Sequence, residues 1–254
     1  MTSPDSEFAG KVALVTGAGR NIGRSIALTL AAGGAAVAVN TRASRESIEK
    51  VAREISDAGG TAAPFLADIA DPAQVKTMVG AVLERFGRID ILVLNASIRQ
   101  ETRFVDMSFE DWRTVMSITL DGAFHCIKAC LPSMIANGGG NIVTLGGDGA
   151  MSGTVLGKVH NSTAKTGLQG MVRALSRELA QHNIRVNCVS PGSIETERSA
   201  TRPPRKPAEG RIPLGRHGDP DEIAATVRFV CSSGAAFITG QTIHVNGGQV
   251  TNWG

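Results

Sequence analysis

Thr16-Gly17-Ala18-Gly19-Arg20-Asn21-Ile22-Gly23 is the stretch whose reading decides the fold. It follows Val12-Ala13-Leu14-Val15, a short apolar run of the kind that forms a buried strand. It opens an apolar-periodic segment, 22–32, that stops at Gly33-Gly34. A strand, a glycine-rich turn and a helix in that order aim unpaired backbone amides at whatever lies beyond the helix start. Such a turn binds a pyrophosphate, because Gly17, Gly19 and Gly23 let the main chain approach it closely.

The alternation continues outward from this unit. Further strands are expected over 36–40, 61–67, 89–94, 141–145, 184–190 and 242–245. Helical patterns fill 44–57, 72–86, 108–136, 162–181 and 220–232, the second opened by Pro72. Strands alternating with helices predict an α/β fold: one Rossmann-type, doubly wound domain over 1–254, with about seven parallel strands covered on both faces. A dinucleotide then sits at the carboxyl ends of the strands, where the strand order reverses. The segment 195–211 stands out as an irregular insertion, since Pro203, Pro204 and Pro207 exclude a regular helix through its middle.

Composition narrows the function. The net charge of +3 is small and scattered, which argues against nucleic acid as a partner. Residues 1–10 are polar and acidic, unlike a signal peptide or a membrane span, so a cytoplasmic protein with no membrane association is expected. Cys126, Cys130, Cys188 and Cys231 form no ligand cluster, and the expectation is buried reduced thiols and no metal.

Cofactor choice follows from charge. An acidic residue at the end of the second strand would bind the adenosine ribose and repel a 2′-phosphate. Here the strand ends Asn40-Thr41-Arg42, and Arg20 lies in the glycine-rich turn. Two guanidiniums and no carboxylate favour NADP(H) over NAD(H).

The order and spacing of these motifs resemble the short-chain dehydrogenase/reductase family over essentially the whole chain, and its 3-oxoacyl-ACP reductase-like members in particular. The family turn is Thr-Gly-x-x-x-Gly-x-Gly, and Asn21 stands at its middle glycine; asparagine tolerates positive φ better than most residues. The resemblance implies further cofactor contacts. Asp68 and Ile69 lie beside the adenine. Asn95 and Ala96 belong to a degraded Asn-Asn-Ala-Gly motif flanked by Leu94 and Ser97. Pro191, Gly192, Ile194 and Thr196 meet the nicotinamide carboxamide, and Lys165 the nicotinamide ribose.

The family tetrad of Asn, Ser, Tyr and Lys carries over poorly. Its asparagine falls on Thr119, its serine on Gly147 (or Asp148 if the loop shifts by one), and its tyrosine on Asn161; Lys165 alone matches. In the family the tyrosine gives the proton as hydride reaches the carbonyl, and the serine polarises the oxygen. This chain has no tyrosine at all. His160, next to the vacant position, is a candidate donor because imidazole titrates near neutrality. The competing reading is that His160 merely precedes the helix while Asn161 caps it. The resemblance thus implies an atypical NADP(H)-dependent oxidoreductase on a small-molecule substrate, reducing a carbonyl or a conjugated alkene through a non-tyrosine donor. A dehydratase, lyase or cyclase on the same fold, or a cofactor-binding protein without catalysis, is the alternative. The family also implies a substrate lid at 195–211 and a homotetramer built through the long catalytic helix and the segment 235–254, with Trp253 as an anchor.

Overall fold

The computed structural model describes residues 6–151, 153, 156–197 and 207–251. Seven strands, β1 (Val12–Val15), β2 (Ala36–Thr41), β3 (Thr61–Leu66), β4 (Ile91–Leu94), β5 (Gly140–Leu145), β6 (Ile184–Pro191) and β7 (Thr242–Val245), form one parallel sheet. Their order is β3-β2-β1-β4-β5-β6-β7, so the winding reverses between β1 and β4. The glycine-rich turn leaves β1 at that point, and the run after β4 leaves beside it, which opens a crevice at the carboxyl edge. The expected α/β fold is what the chain adopts.

Alternation along the strands assigns each side chain to a face. Ala13, Val15, Val37, Val39, Ile91, Val93, Val143 and Val189 pack against Ile26 and Leu30 of α1 (Asn21–Ala32), Ile48, Val51 and Ile55 of α2 (Arg45–Asp57), and Ile223, Val227 and Val230 of α8 (Pro220–Cys231). Leu14, Ala38, Leu92, Ile142 and Val186 face α3 (Pro72–Phe86), α5 (Gly122–Ala136) and α7 (Val159–Leu179). α3 begins at Pro72 because the Asp71 carboxylate accepts the amides of Ala73 and Gln74. The Asp219–Glu222 capping box starts α8 in the same way. Four cysteines lie buried and free, and desolvation pushes the Cys126 thiol up to about 12. Among the described residues there is no cluster suited to a metal ion and no helix long and apolar enough to cross a membrane.

Two departures from the sequence reading bear on the site. The helical stretch over 108–136 is α4 (Phe109–Met116) and α5 joined by a π-turn at Ser117–Asp121. The long helix α7 starts at Val159 rather than 162, so the cap position is Lys158, and no side chain caps it. Asn161 is therefore not the N-cap. A short α6 (Asp148–Met151) follows β5. Of the insertion, 198–206 lies outside the described residues, as does Trp253.

Candidate active site and cofactor crevice

At the reversal point the main chain is drawn tight. Gly17 takes φ +62°, and a Cβ there would lie 2.8 Å from the Ala96 Cα. A Cβ on Gly23 would collide with the Gly17 carbonyl. Asn95 braces the turn: its Nδ2 donates to the carbonyls of Thr16 (3.1 Å) and Gly17 (2.9 Å). Thr16 Oγ1 in turn accepts the amides of Asn95 and Ala96. Asn95 thus shapes the cradle with its side chain. Asn21 adopts φ +50°, the left-handed conformation for which the family uses glycine. α1's first intrahelical bond runs from Arg24 N to Arg20 O, which leaves the amides of Asn21, Ile22 and Gly23 without an intrahelical acceptor. This is a cradle of the right chemistry for a diphosphate.

The adenosine end lies at the tip of β2. Asn40 was expected to meet the cofactor, but its side chain is buried, and its Nδ2 is spent on the carbonyls of Phe65 and Ala67, both at 3.1 Å. It ties β2 to β3. Thr41 is half-buried, and its carbonyl accepts the Ala67 amide. Arg42 is exposed and approaches Asp68 at 3.8 Å, a loose pair that an incoming phosphate can compete for. Asp68 also accepts the Ala70 amide, which fixes the turn before α3. Arg20 is exposed at the mouth, while Ile69 is buried and packs on Gly122 of α5. The residues present fit an adenosine 2′-phosphate.

At the nicotinamide end, Pro191 closes β6 and the Gly192 amide donates to Val245 O at 2.9 Å. A Cβ on Gly192 would lie 2.7 Å from Asn246, so glycine is required by close packing. Ile194 bridges to Gly218, and Glu195 N donates to Gly218 O at 2.7 Å. Thr196 follows, half-buried.

The tetrad positions converge between α5, α7 and the loops after β4 and β5. Lys165 Nζ donates to Leu145 O at 2.5 Å. Burial, with a smaller push from the Arg99 guanidinium, brings its ammonium down to about 8 from an ordinary 10.5; the Cys188 thiol pulls the other way. Thr119 is buried within the π-turn and shares a 3.3 Å hydrogen bond with Ser97 Oγ. π-turns inside helices are often found at functional sites. Gly147 is half-buried, and a Cβ there meets nothing within 4 Å, so the vacated serine position is open.

Asn161 is turned toward the loop after β4, donating from Nδ2 to Ile98 O at 2.9 Å. Two further contacts join the same walls: Lys158 pairs with Glu101 at 2.9 Å, and Thr102 N donates to Gly157 O at 2.9 Å. His160 is wholly buried, its Nδ1 accepting the Asn161 amide at 3.0 Å, and desolvation depresses its pKa. A buried neutral imidazole is a poor proton donor to the crevice. Asp148 is also buried; its Oδ1 accepts from Ser190 Oγ and His244 Nδ1, both at 2.8 Å. Ser97, Ser190 and His244 were not singled out by sequence reasoning, because their partners lie 22, 42 and 96 residues away.

These features define a dinucleotide-binding fold of the Rossmann type. The family profile described as "Enoyl-(Acyl carrier protein) reductase" matches residues 17–250. The chain is 39% identical over 244 residues to the 3-oxoacyl-[acyl-carrier-protein] reductase of Synechocystis sp., covering 96% of this chain and 98% of that one. It is 40% identical over 245 residues to the Escherichia coli 3-oxoacyl-[acyl-carrier-protein] reductase FabG, covering 95% and 98%. Among solved structures it resembles a short-chain dehydrogenase/reductase (glucose/ribitol dehydrogenase) from Brucella melitensis, with TM-score 0.84 and 36% identity over 97% of this chain and 99% of that one. A putative short-chain alcohol dehydrogenase from Sinorhizobium meliloti superposes with TM-score 0.89 at 35% identity, covering 97% and 98%. The chain belongs to the short-chain dehydrogenase/reductase family, a family of oxidoreductases.

Proposed function

We propose that this chain is an NADPH-dependent reductase of a carbonyl compound of the 3-oxoacyl type, in which Lys165 is the proton source. The observation that carries the reading is the Lys165 ammonium, buried at the tetrad site and lowered to about 8. An acid of that strength is largely protonated at neutral pH and yields its proton far more readily than an ordinary lysine. NADPH, when bound, supplies a hydride. Gly17, Gly23 and the α1 amides would hold its diphosphate, Arg20 and Arg42 its 2′-phosphate, and Ile194 and Thr196 would flank its carboxamide. Lys165 then faces the oxygen that gains charge, donates its proton to it directly or through one water, and recovers a proton from solvent. Similarity to 3-oxoacyl-[acyl-carrier-protein] reductases supports a 3-oxoacyl substrate. The match to the enoyl-(acyl carrier protein) reductase family supports a second outcome, reduction of a conjugated alkene in which hydride would add at one carbon and Lys165 would protonate its neighbour.

His160 does not serve in this reading, since burial keeps its imidazole neutral. The assembly is proposed to be a homotetramer. Phe229 and Phe237 are exposed near the C-terminal strand, and Phe109 and Phe124 on α4 and α5, each more than a solitary domain needs to show to water. The test is NADPH oxidation measured with a 3-oxoacyl thioester, simple ketones and conjugated enones, beside calorimetric titration of NADPH and NADH. Turnover of one substrate class with preferential NADPH binding is expected. Cofactor binding without turnover of any class would overturn the catalytic reading.

A further inference from the structure

We propose that Asn21 is a positioning residue that clasps the segment 194–197 to the start of α1, beside the phosphate cradle. It does so by holding the main chain at Glu197. A glycine at this position would give the same left-handed backbone with no side chain. Asparagine is the residue type that keeps φ +50° at little cost and adds a hydrogen-bonding group. That group is in use: Asn21 Oδ1 accepts the Glu197 amide at 2.9 Å, across 176 residues of sequence.

The bond completes a pattern of pinning. Ile194 and Glu195 are fixed to Gly218 on the α8 side, through the bridge and the 2.7 Å bond from Glu195 N. Glu197 is fixed to the first residue of α1, the helix on which α8 packs. Thr196 lies between these two anchors. With both anchors in place the segment 194–197 is held beside the cradle, where it would flank a bound dinucleotide and slow its departure. In the free protein the Asn21–Glu197 bond is exposed and water competes for it. A ligand beneath it excludes water and makes the bond costlier to break. The clasp therefore acts chiefly on the rate of cofactor departure.

The proposal rests on the cofactor reading above, and the test separates the two. Asn21→Gly in the full chain removes the acceptor while suiting the backbone conformation, so the variant folds. Stopped-flow displacement of NADPH should show dissociation about five- to tenfold faster than in the unaltered protein, the worth of one hydrogen bond. Hydrogen-exchange mass spectrometry without cofactor should show faster exchange in the peptide carrying Glu197. Glu197→Pro, which deletes the donor, should raise the dissociation rate similarly, and the double variant should add little more. A dissociation rate within twofold of the unaltered protein in Asn21→Gly, or fully additive effects in the double variant, would overturn the clasp. Failure of the unaltered protein to bind NADPH would instead overturn the functional reading, and unchanged exchange at Glu197 would then dispose of the clasp as well.

Discussion

Lys165 offers the sharpest test of the chemistry, through pH. Its ammonium lies near 8 because burial and the Arg99 charge penalise the cation, against an ordinary 10.5. The folded value is depressed, so the acid form is complete well below 8 and is lost as pH rises through it. At pH 7 about nine-tenths of the population carries the proton, and at pH 9 about one-tenth does. The rate of reduction, as kcat/KM for the carbonyl substrate at saturating NADPH, should be level from pH 6 to 7.5. Above 8 it should fall about tenfold per unit. An ordinary lysine would hold the plateau to pH 10. Lys165→Arg separates charge from proton supply, because guanidinium stays charged but gives up no proton in this range. It should lower kcat by about 10²-fold or more while NADPH still binds. A plateau that persists to pH 10, or an active Lys165→Arg enzyme, would refute Lys165 as the donor.

Further outcomes follow from the same geometry. Gly147→Ser with Asn161→Tyr rebuilds the family's oxyanion donor and acid beside Lys165, and the open space at Gly147 accepts the hydroxymethyl group; turnover of simple ketones should rise about 10²-fold in a steady-state assay. Arg42→Ala should weaken NADPH by about 1–3 kcal/mol in calorimetry and leave NADH nearly unchanged, since the loose pair with Asp68 contributes little by itself. Asp148→Ala strands the Ser190 hydroxyl and the His244 imidazole as donors and should cost about 3 kcal/mol in urea denaturation. Phe237→Glu places a charge on a fully exposed aromatic position, and light scattering should report a smaller assembly than the unaltered chain forms.

What the sequence made legible was whatever depends on near neighbours. The strand–turn–helix at 12–32 reads from local pattern, and so does positive φ at Asn21, because few residue types accept it. Asn161 misleads for the same reason. Asparagine favours caps, yet the helix start is set by the chain leaving Gly157 at φ +75°, with Val159 already helical. The π-turn at Ser117–Asp121 is invisible in a stretch whose apolar spacing suits one uninterrupted helix. Asn40 reads as a ligand contact from its place at the strand tip, but its side chain points inward to carbonyls of β3 and the residue beyond it. The Asp148 network joins the ends of β5, β6 and β7, and only the assembled sheet brings its members together.

The substituted tetrad positions have a physical logic in common. Thr119 is bonded to Ser97, Asn161 to Ile98, and the loop beyond Gly147 is anchored through Asp148 to Ser190 and His244. Among the described residues Asn161 Oδ1 and Asp148 Oδ2 remain buried without a partner, while each of the bonds above joins separate elements of the fold. Such bonds stabilise the walls, so their loss should appear first as reduced stability. Lys165 differs. Among the described residues its hydrogen-bond partner is the Leu145 carbonyl, which holds the nitrogen in place without neutralising its charge, while burial makes that charge costly to keep. A cation held where it is disfavoured is an acid ready to lose its proton. The proton chemistry of this site therefore concentrates on one residue, and changes at Thr119 or Asn161 should lower the denaturation midpoint more than they alter the pH at which activity falls.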